Sequence, residues 1–336
     1  MSDLILGTLG QQILRTIQEF TNPILDLYFG VVTTFGDTLP IVIIIVLLYY
    51  TMNKEFMSRL FYLLILSAHF NYVVKIFFHN PRPYVYDSSF RVTTDVLGKQ
   101  TVWGAKYYSF PSGHSQTQGA LWGYIFSKYR NISLVIIGLI LVISIPLSRS
   151  YLGVHWPSDV IFGVIFGIFL SLLYIYLDNN YGEKVTQLTD SKKIILGVIV
   201  SIGILILGVV VFLLGTLFTF NGAISFSDPQ AWNDANLGNY PGILAGVVIG
   251  QVLEKKHIDF KITGREPKKI LIRTVLGFLS VVILYFGAKA IENIAESLQE
   301  NIIWITTLAN YFSYLIIAFF IAFIIPWLFT KIEELI

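Results

Sequence analysis

Apolar windows of roughly 17–25 residues recur along this chain between short polar connections, and that recurrence dictates its solvent. About 20 helical residues are needed to cross a ~30 Å hydrocarbon core. Of 336 residues, 55% are hydrophobic, 15% aromatic and only 13% charged, a balance that would leave a soluble domain with far too much apolar surface. The chain therefore reads as an all-α, polytopic integral membrane helical bundle whose first partner is the bilayer. A formal net charge of +2 carries little information, and no nucleic-acid partner is expected. With no cysteine, disulfides, thiolate metal sites and cysteine-based phosphatase or hydrolase chemistry are excluded together.

Apolar runs set against turn and charge signals predict nine spans, near residues 37–52, 57–79, 112–130, 132–149, 158–177, 193–219, 239–256, 269–291 and 305–331. Residues 22–36, "NPILDLYFGVVTTFG", read either as a tenth span or as a continuation of the helix before them. That preceding helix is expected in "MSDLILGTLGQQILRTIQEF", where Leu4, Ile5, Leu9, Ile13, Ile17 and Phe20 recur at helical spacing among polar residues. It reads as an amphipathic helix on the membrane surface and not as a removable signal peptide, having no basic start and no small-residue cleavage site.

Orientation follows from the basic residues, which gather on the cytoplasmic side. With nine spans, one side receives 15 of the 23 Lys and Arg, among them Lys54, Arg59, Lys184, Lys255, Lys256, Arg265 and Lys331. The connections 79–111, 149–157 and 220–238 then face outward, to the extracytoplasmic side of a plasma membrane in a bacterial or archaeal cell and to a lumenal side in a eukaryotic one. The polar stretch "DNNYGEKVTQLTDSKK", residues 178–193, is read as the boundary between two modules, residues 1–180 and 181–336. Gly242, Gly246 and Gly250 lie four apart on one helix, as do Gly119 with Gly123 and Gly163 with Gly167. Small residues at that spacing let helices approach closely, so all are assigned to packing.

Three outward-facing stretches carry polar residues that the membrane disfavours. "KIFFHNPRP" holds Lys75 and Arg82, "PSGH" spans residues 111–114, and "SRSYLGVHWPSD" holds Arg149, His155 and Asp159. Lys75, Arg82 and Arg149 supply three cations, two of them guanidiniums able to grip anionic oxygens in pairs, which suits a phosphate. Ser112 and Gly113 stand where a helix begins, with backbone amides unsatisfied and glycine permitting close approach, a ready anion site. His155 and Asp159 are four apart with Pro157 between them, so the carboxylate can orient the ring and leave its other nitrogen free to attack phosphorus. His155 is thus expected as a nucleophile forming a phosphohistidine, Asp159 as its orienter, and His114 as general acid to the leaving oxygen and then base for water.

The patterns "K-x6-RP", "PSGH" and "SR-x5-H-x3-D", in that order, resemble the three signature motifs of the type-2 phosphatidic acid phosphatase superfamily. Lys75, Arg82, Pro83, Pro111, Ser112, Gly113, His114, Ser148, Arg149, His155 and Asp159 fill their key positions. The resemblance covers roughly residues 20–180 and implies a helical core with a metal-independent, cofactor-free phosphohydrolase site that takes lipid phosphates at the membrane surface. The extra C-terminal spans are reminiscent of a larger, sphingosine-phosphate-phosphatase-like branch, though no motif ties them to it.

Other polar residues are given structural readings. His69 is expected as a buried packing residue, and His79 and His257 as loop or interfacial ones. Asp87 and Asp95, without a His at ligand spacing, read as solvated loop charges and not as a metal pair. The run 255–273 is explained by cytoplasmic placement. The leading function is hydrolysis of a phosphate monoester or terminal diphosphate on a lipid; vanadate, a phosphate mimic, should inhibit it. Transfer of the same phosphoryl group to another acceptor is a second reading. The vanadium-dependent haloperoxidases share a related anion pocket but are soluble. A transporter or lipid scramblase built on residues 181–336 is a third reading, disfavoured by the expectation that no span there holds a buried charge.

Overall fold

A computed structural model describes residues 3–90, 108–217, 237–262, 266–297 and 303–333. Asp95, Arg265 and nearly all of the 220–238 connection lie outside the described residues. Thirteen α-helices make up the described chain: α1 Gly7–Glu19, α2 Pro23–Thr34, α3 Thr38–Thr51, α4 Lys54–Phe78, α5 Pro83–Tyr86, α6 Gly113–Lys128, α7 Ile132–Tyr151, α8 Pro157–Thr186, α9 Asp190–Leu217, α10 Asn239–His257, α11 Pro267–Ser297, α12 Ile303–Phe319 and α13 Ile325–Glu333. A π-helical turn, Phe320–Ile324, joins the last two.

Among the described residues, six stretches are long and apolar enough to cross a membrane: Lys54–Phe78, Ile132–Tyr151, Pro157–Thr186, Asp190–Leu214, Pro267–Ala288 and Thr306–Ile332. The adjoining helices Pro23–Thr34 and Thr38–Thr51, bent by 50° at their break, make a seventh if taken as one broken span. Residues 22–36 are thus a helix of their own, started by Asn22, whose side chain accepts from the amides of Ile24 and Leu25. The other two expected spans, 112–130 and 239–256, also form helices. The first has 16 residues and the second 19, and their Gly, Ser, Gln and His content keeps them below the apolarity of the rest.

The chain divides into two compact units. The first comprises Met1–Pro40, Phe70–Tyr176 and Val210–Asp234; the second comprises Ile41–His69, Leu177–Val209 and Ala235–Ile336. In the first, α6 and α8 meet through glycine. A Cβ on Gly167 would fall 2.1 Å from the Gln116 carbonyl oxygen, and one on Gly119 would fall 2.5 Å from that of Val164. Phe70, Phe110, Phe162 and Phe166 form a linked set of rings in the same unit. α2 lies on α7, with Phe29 and Tyr151 at 4.5 Å between ring centroids.

The N-terminal helix is bound more firmly than a helix merely resting in the interface. Leu14 is fully buried with Phe90 and Trp156. Asp3, also buried, accepts the Ser158 amide at 3.1 Å and so satisfies one orphan donor at the start of α8. Ile5, Leu9 and Phe20 remain exposed, an apolar face suited to lipid.

In the second unit, α10 packs on α12 and the π-helical turn through Gly242, Gly246 and Gly250, which meet Tyr311, Leu315 and Ala322. Buried charge does occur here, contrary to the sequence-based expectation. Glu254 and Arg273 are both fully buried. Glu254 pairs with Lys54 and accepts the Phe260 amide at 2.8 Å, while the Arg273 guanidinium lies 5.0 Å from the centroid of the Phe260 ring. The sequence hid them because both sit near helix ends, where a charge reads as a headgroup anchor. His69 packs as expected, its Nε2 2.8 Å from the Ile204 carbonyl oxygen.

Gly167 and Gly203 should separate packing glycines from incidental ones. Gly167→Leu drives a side chain into fixed backbone and is expected to lower the thermal transition in detergent strongly, overpacking costing about 1–3 kcal/mol or more. Gly203→Ala, with nothing within 4 Å of the new methyl, should leave the transition where it is or raise it slightly.

Candidate active site

Each polar stretch is delivered by the end of a helix. Lys75 lies in the last turn of α4, and Arg82 immediately precedes α5, with Pro83 at its first position. Ser112 and Gly113 open α6, Arg149 lies in the last turn of α7, and Asp159 in the first turn of α8. His155 stands in the tight connection between α7 and α8. There the Arg149 carbonyl captures the amides of Val154 and His155 at 3.1 and 3.3 Å, and Gly153 takes a φ of +75°, a left-handed conformation natural to glycine. Leu152, Val154 and Trp156, all fully buried, anchor that connection.

Hydrogen bonds to backbone carbonyls sew the three stretches together. Trp156 donates its ring N–H to the Pro81 carbonyl at 2.9 Å, joining the third stretch to the first. The Ser112 amide donates to the backbone carbonyl of Asp159 at 2.9 Å, joining the second to the third. The Ser109 amide donates to the Asn80 carbonyl at 2.8 Å, and Lys75 Nζ donates to the carbonyls of Tyr108 and Ser109 at 3.2 and 3.1 Å, joining the first to the second. Residues separated widely in sequence therefore share one locality.

At its centre His155 is bonded on both ring nitrogens. Nδ1 is 3.3 Å from Asp159 Oδ2, and that oxygen also accepts the Trp156 amide at 2.8 Å. Nε2 is 3.1 Å from Arg82 Nη1, which also donates to the Val154 carbonyl at 2.7 Å. A guanidinium has no lone pair to offer, so Nε2 is the acceptor and the ring proton sits on Nδ1, facing Asp159. Burial, followed by the positive charges of Arg82, Lys75 and Arg149, holds the imidazole well below its ordinary value. The ring is neutral at neutral pH, with its lone pair on Nε2.

Other expected residues make different contacts. Ser112 caps α6, its hydroxyl accepting from the Ser115 hydroxyl at 2.9 Å and the Ser115 amide at 3.4 Å. Gly113 begins the helix beside Asn71, whose side chain donates to Pro111 and Gln116. Arg149, nearly buried, donates through Nη1 to the Thr33 hydroxyl at 2.7 Å, and its buried Nε–H finds no partner among the described residues. His114 has its Nε2 3.0 Å from Asp37 Oδ1. Neither His114 nor Arg149 bonds directly to His155, yet both are near enough for their charges to act on it.

Thr33, Asp37, Asn71 and Asp3 escaped the sequence reading. Asp37 left a faint trace, an acid at the head of an apolar run in "FGDTLP"; the others had none, because each is defined by a partner distant in sequence. His79, expected in a loop or at the interface, is buried against the Tyr108 ring, and burial pushes its imidazole down to about 4. Asp87 accepts from Arg15 at 2.9 Å and from the Ser89 amide at 2.8 Å. Among the described residues no three His, Asp or Glu gather as a metal-ligand set.

Comparison with known proteins decides what this arrangement belongs to. Residues 56–183 match the model of the PAP2 superfamily, and residues 238–334 match that of the PAP2 superfamily phosphatase transmembrane extension. The chain belongs to the PAP2 superfamily. It is an integral, multi-pass member whose two matched regions together cover most of its length. Among relatives, a lipid A 1-phosphatase of Rhizobium etli is 40% identical over 72 residues, 20% of this chain and 29% of that protein. Phosphatidylglycerophosphatase B of Bacillus subtilis is 33% identical over 90 residues, 24% of this chain and 42% of that protein. The chain thus spans less than half the length of these PAP2 relatives. The crystal structure of LpxE from Aquifex aeolicus aligns with 22% identity and a TM-score of 0.42, covering 50% of this chain and 95% of that one.

The state of His155 predicts how stability follows pH. Between the ordinary imidazole value of about 6.5 and the depressed folded one, the unfolded chain binds a proton that the folded chain refuses. Acidification therefore costs stability across that window, and neutral pH restores it. Thermal transitions of the detergent-purified protein should fall from about pH 8 to about pH 5, and His155→Gln, which removes the titrating ring, should make the fall less steep. An unchanged slope in the variant would contradict the neutral, buried assignment.

Proposed function

We propose that this PAP2 protein removes phosphate from a membrane lipid, as a monoester or terminal diphosphate, through a phosphohistidine on His155. The observation that carries the reading is the His155 ring, neutral and oriented by Asp159, with its acceptor nitrogen facing the Arg82 guanidinium. Relatives named for lipid A and phosphatidylglycerophosphate support a lipid phosphate as the substrate class.

The geometry is consistent with a reaction in two steps. A phosphoryl group draws the Arg82 guanidinium onto its oxygens, releasing the Nε2 lone pair, while the unpartnered Nε–H of Arg149 gains an acceptor. Lys75 and the amides at the start of α6 complete a cationic cradle for the oxygens, whose charge is greatest in the transition state. Nε2 of His155 forms a bond to phosphorus as the bond from phosphorus to the lipid oxygen breaks, and His114 passes its proton to that oxygen. Asp159 stabilises the charge that develops on the ring. Water then attacks the phosphohistidine, giving its proton to His114, and inorganic phosphate leaves with His155 restored.

In this reading residues 1–180 hold the whole reaction and residues 181–336 form a second transmembrane module. We read nine crossings, counting the two less apolar helices α6 and α10, and with the basic residues inside this reading has the site facing the extracytoplasmic side of the plasma membrane. The substrate tail stays in the bilayer.

The deciding experiment is phosphate release by the full chain in detergent from phosphatidic acid, phosphatidylglycerol phosphate, a sphingoid phosphate and undecaprenyl diphosphate, with chelator present. At least one should be hydrolysed, vanadate should inhibit, and His155→Ala should lose about 10³-fold or more of the rate. Undiminished release by His155→Ala would refute the reading. Release from a substrate only when an alcohol acceptor is added would make the protein a phosphotransferase.

A further inference from the structure

None of the three sequence motifs contains the residues that hold His114 and Arg149. Both are held by the short break between α2 and α3. There the amides of Phe35, Gly36 and Asp37 each bond back three residues, at 3.2, 2.9 and 3.2 Å, which closes a tight elbow at the end of α2. Thr33, on the last turn before it, accepts from Arg149 at 2.7 Å. Asp37, on its far side, is 3.0 Å from Nε2 of His114. Gly36, between them, lies so close to His114 that a Cβ there would stand 2.6 Å from the ring's Cδ2.

We propose that Asp37 is the positioning carboxylate of His114, a counterpart to Asp159 for His155, and that the elbow around Gly36 is a fourth functional segment of the site. This rests on the phosphatase reading above. The elbow grips one edge of the ring, with Gly36 against Cδ2 and Asp37 on Nε2, so the opposite edge bearing Nδ1 faces away from the elbow. With the carboxylate accepting a hydrogen bond from Nε2–H, Nδ1 is the nitrogen that exchanges a proton with the lipid oxygen. On leaving-group departure the proton on Nδ1 goes to that oxygen as its bond to phosphorus breaks; on hydrolysis Nδ1 recovers a proton from water. Asp37 keeps its charge throughout and stabilises the imidazolium that precedes transfer.

The two carboxylates differ in a way that suits their tasks. Asp159 is fully buried beside a ring that must stay neutral to attack. The Asp37 side chain is 53% exposed, beside a ring that must gain and lose a proton within each turnover, and water can reach the pair. The charges that act on His114 are Asp37 from the elbow, Arg149 from α7 and Arg82 from the segment before α5, with His155 also within electrostatic reach. Asp37 is the negative one among them, opposing two guanidiniums that disfavour protonation.

The test compares the unaltered full chain, Asp37→Asn and Gly36→Ala in detergent, with phosphatidic acid as the probe or, if it is not cleaved, the panel lipid cleaved fastest. Asp37→Asn should lower kcat about tenfold or more with KM little changed, since positioned acid–base groups contribute about 10²–10⁴-fold in all. Loss of the carboxylate charge makes the ring shed its proton more readily, so the alkaline limb of the kcat profile should move to lower pH by about one unit. Gly36→Ala, which pushes the ring away while leaving Asp37 in place, should reproduce both changes, and Asp37→Glu should restore part of the rate. A defect that is merely structural would lower the rate without moving the limb. If His155→Ala abolishes release while the alkaline limb of both elbow variants stays where it was, the role of Asp37 is wrong and the phosphatase reading stands. If His155→Ala retains full release, the phosphatase reading fails first.

Discussion

The site depends on one buried imidazole bonded at both nitrogens. Asp159 accepts a hydrogen bond from Nδ1–H and Arg82 donates to the lone pair on Nε2, so tautomer, orientation and charge are fixed together. A buried polar atom left without a partner costs about 1–3 kcal/mol, and an unpaired charge more. That penalty makes the arrangement self-consistent. Arg82 is tied to the Val154 carbonyl and Asp159 to the Trp156 amide, so moving any member leaves another unsatisfied. The same economy explains why the supporting contacts are mostly backbone: amides and carbonyls at helix ends need partners in any case.

Around this centre the residues of the three motifs hold one another in place. Ser112 illustrates the point. Its amide holds the Asp159 backbone and its hydroxyl caps α6, so a residue expected to bind phosphate also builds the wall of the site. Lys75 similarly braces the carbonyls of Tyr108 and Ser109. The outer layer comes from the N-terminal part of the chain, ahead of the region that matches the PAP2 model: Asp3 on the first turn of α8, Leu14 under Trp156, and the elbow after α2 on His114 and Arg149. The matched region alone therefore leaves Ser158, Trp156, His114 and Arg149 without these partners.

Composition and spacing made much of this legible. Long apolar windows announced the membrane, and three motifs of Lys, Arg, Ser, His and Asp marked the residues that the fold gathers in one place, because such residue types are costly near lipid. The glycines four apart announced close helix contacts, which the distances at Gly167 and Gly242 bear out. Glu254 and Arg273 were misjudged for a physical reason: near a helix end, hydropathy cannot tell a charge that reaches water from one sealed against a partner. His79 does lie in the connection after a span, as read, but its burial was hidden, since hydropathy cannot show that a ring such as Tyr108 closes over it.

By itself the sequence determined the solvent, the helical character, the residue types of the site and the tautomer logic of a His with an Asp four residues on, all of which are local or compositional. Tertiary structure alone decided which elements reach those residues. The pairings of Asp37 with His114, Thr33 with Arg149 and Asp3 with Ser158 span from 77 to 155 positions along the chain. No periodicity or motif spacing encodes such pairs, because they arise only when separate helices pack and their end groups must find partners in the space that packing leaves.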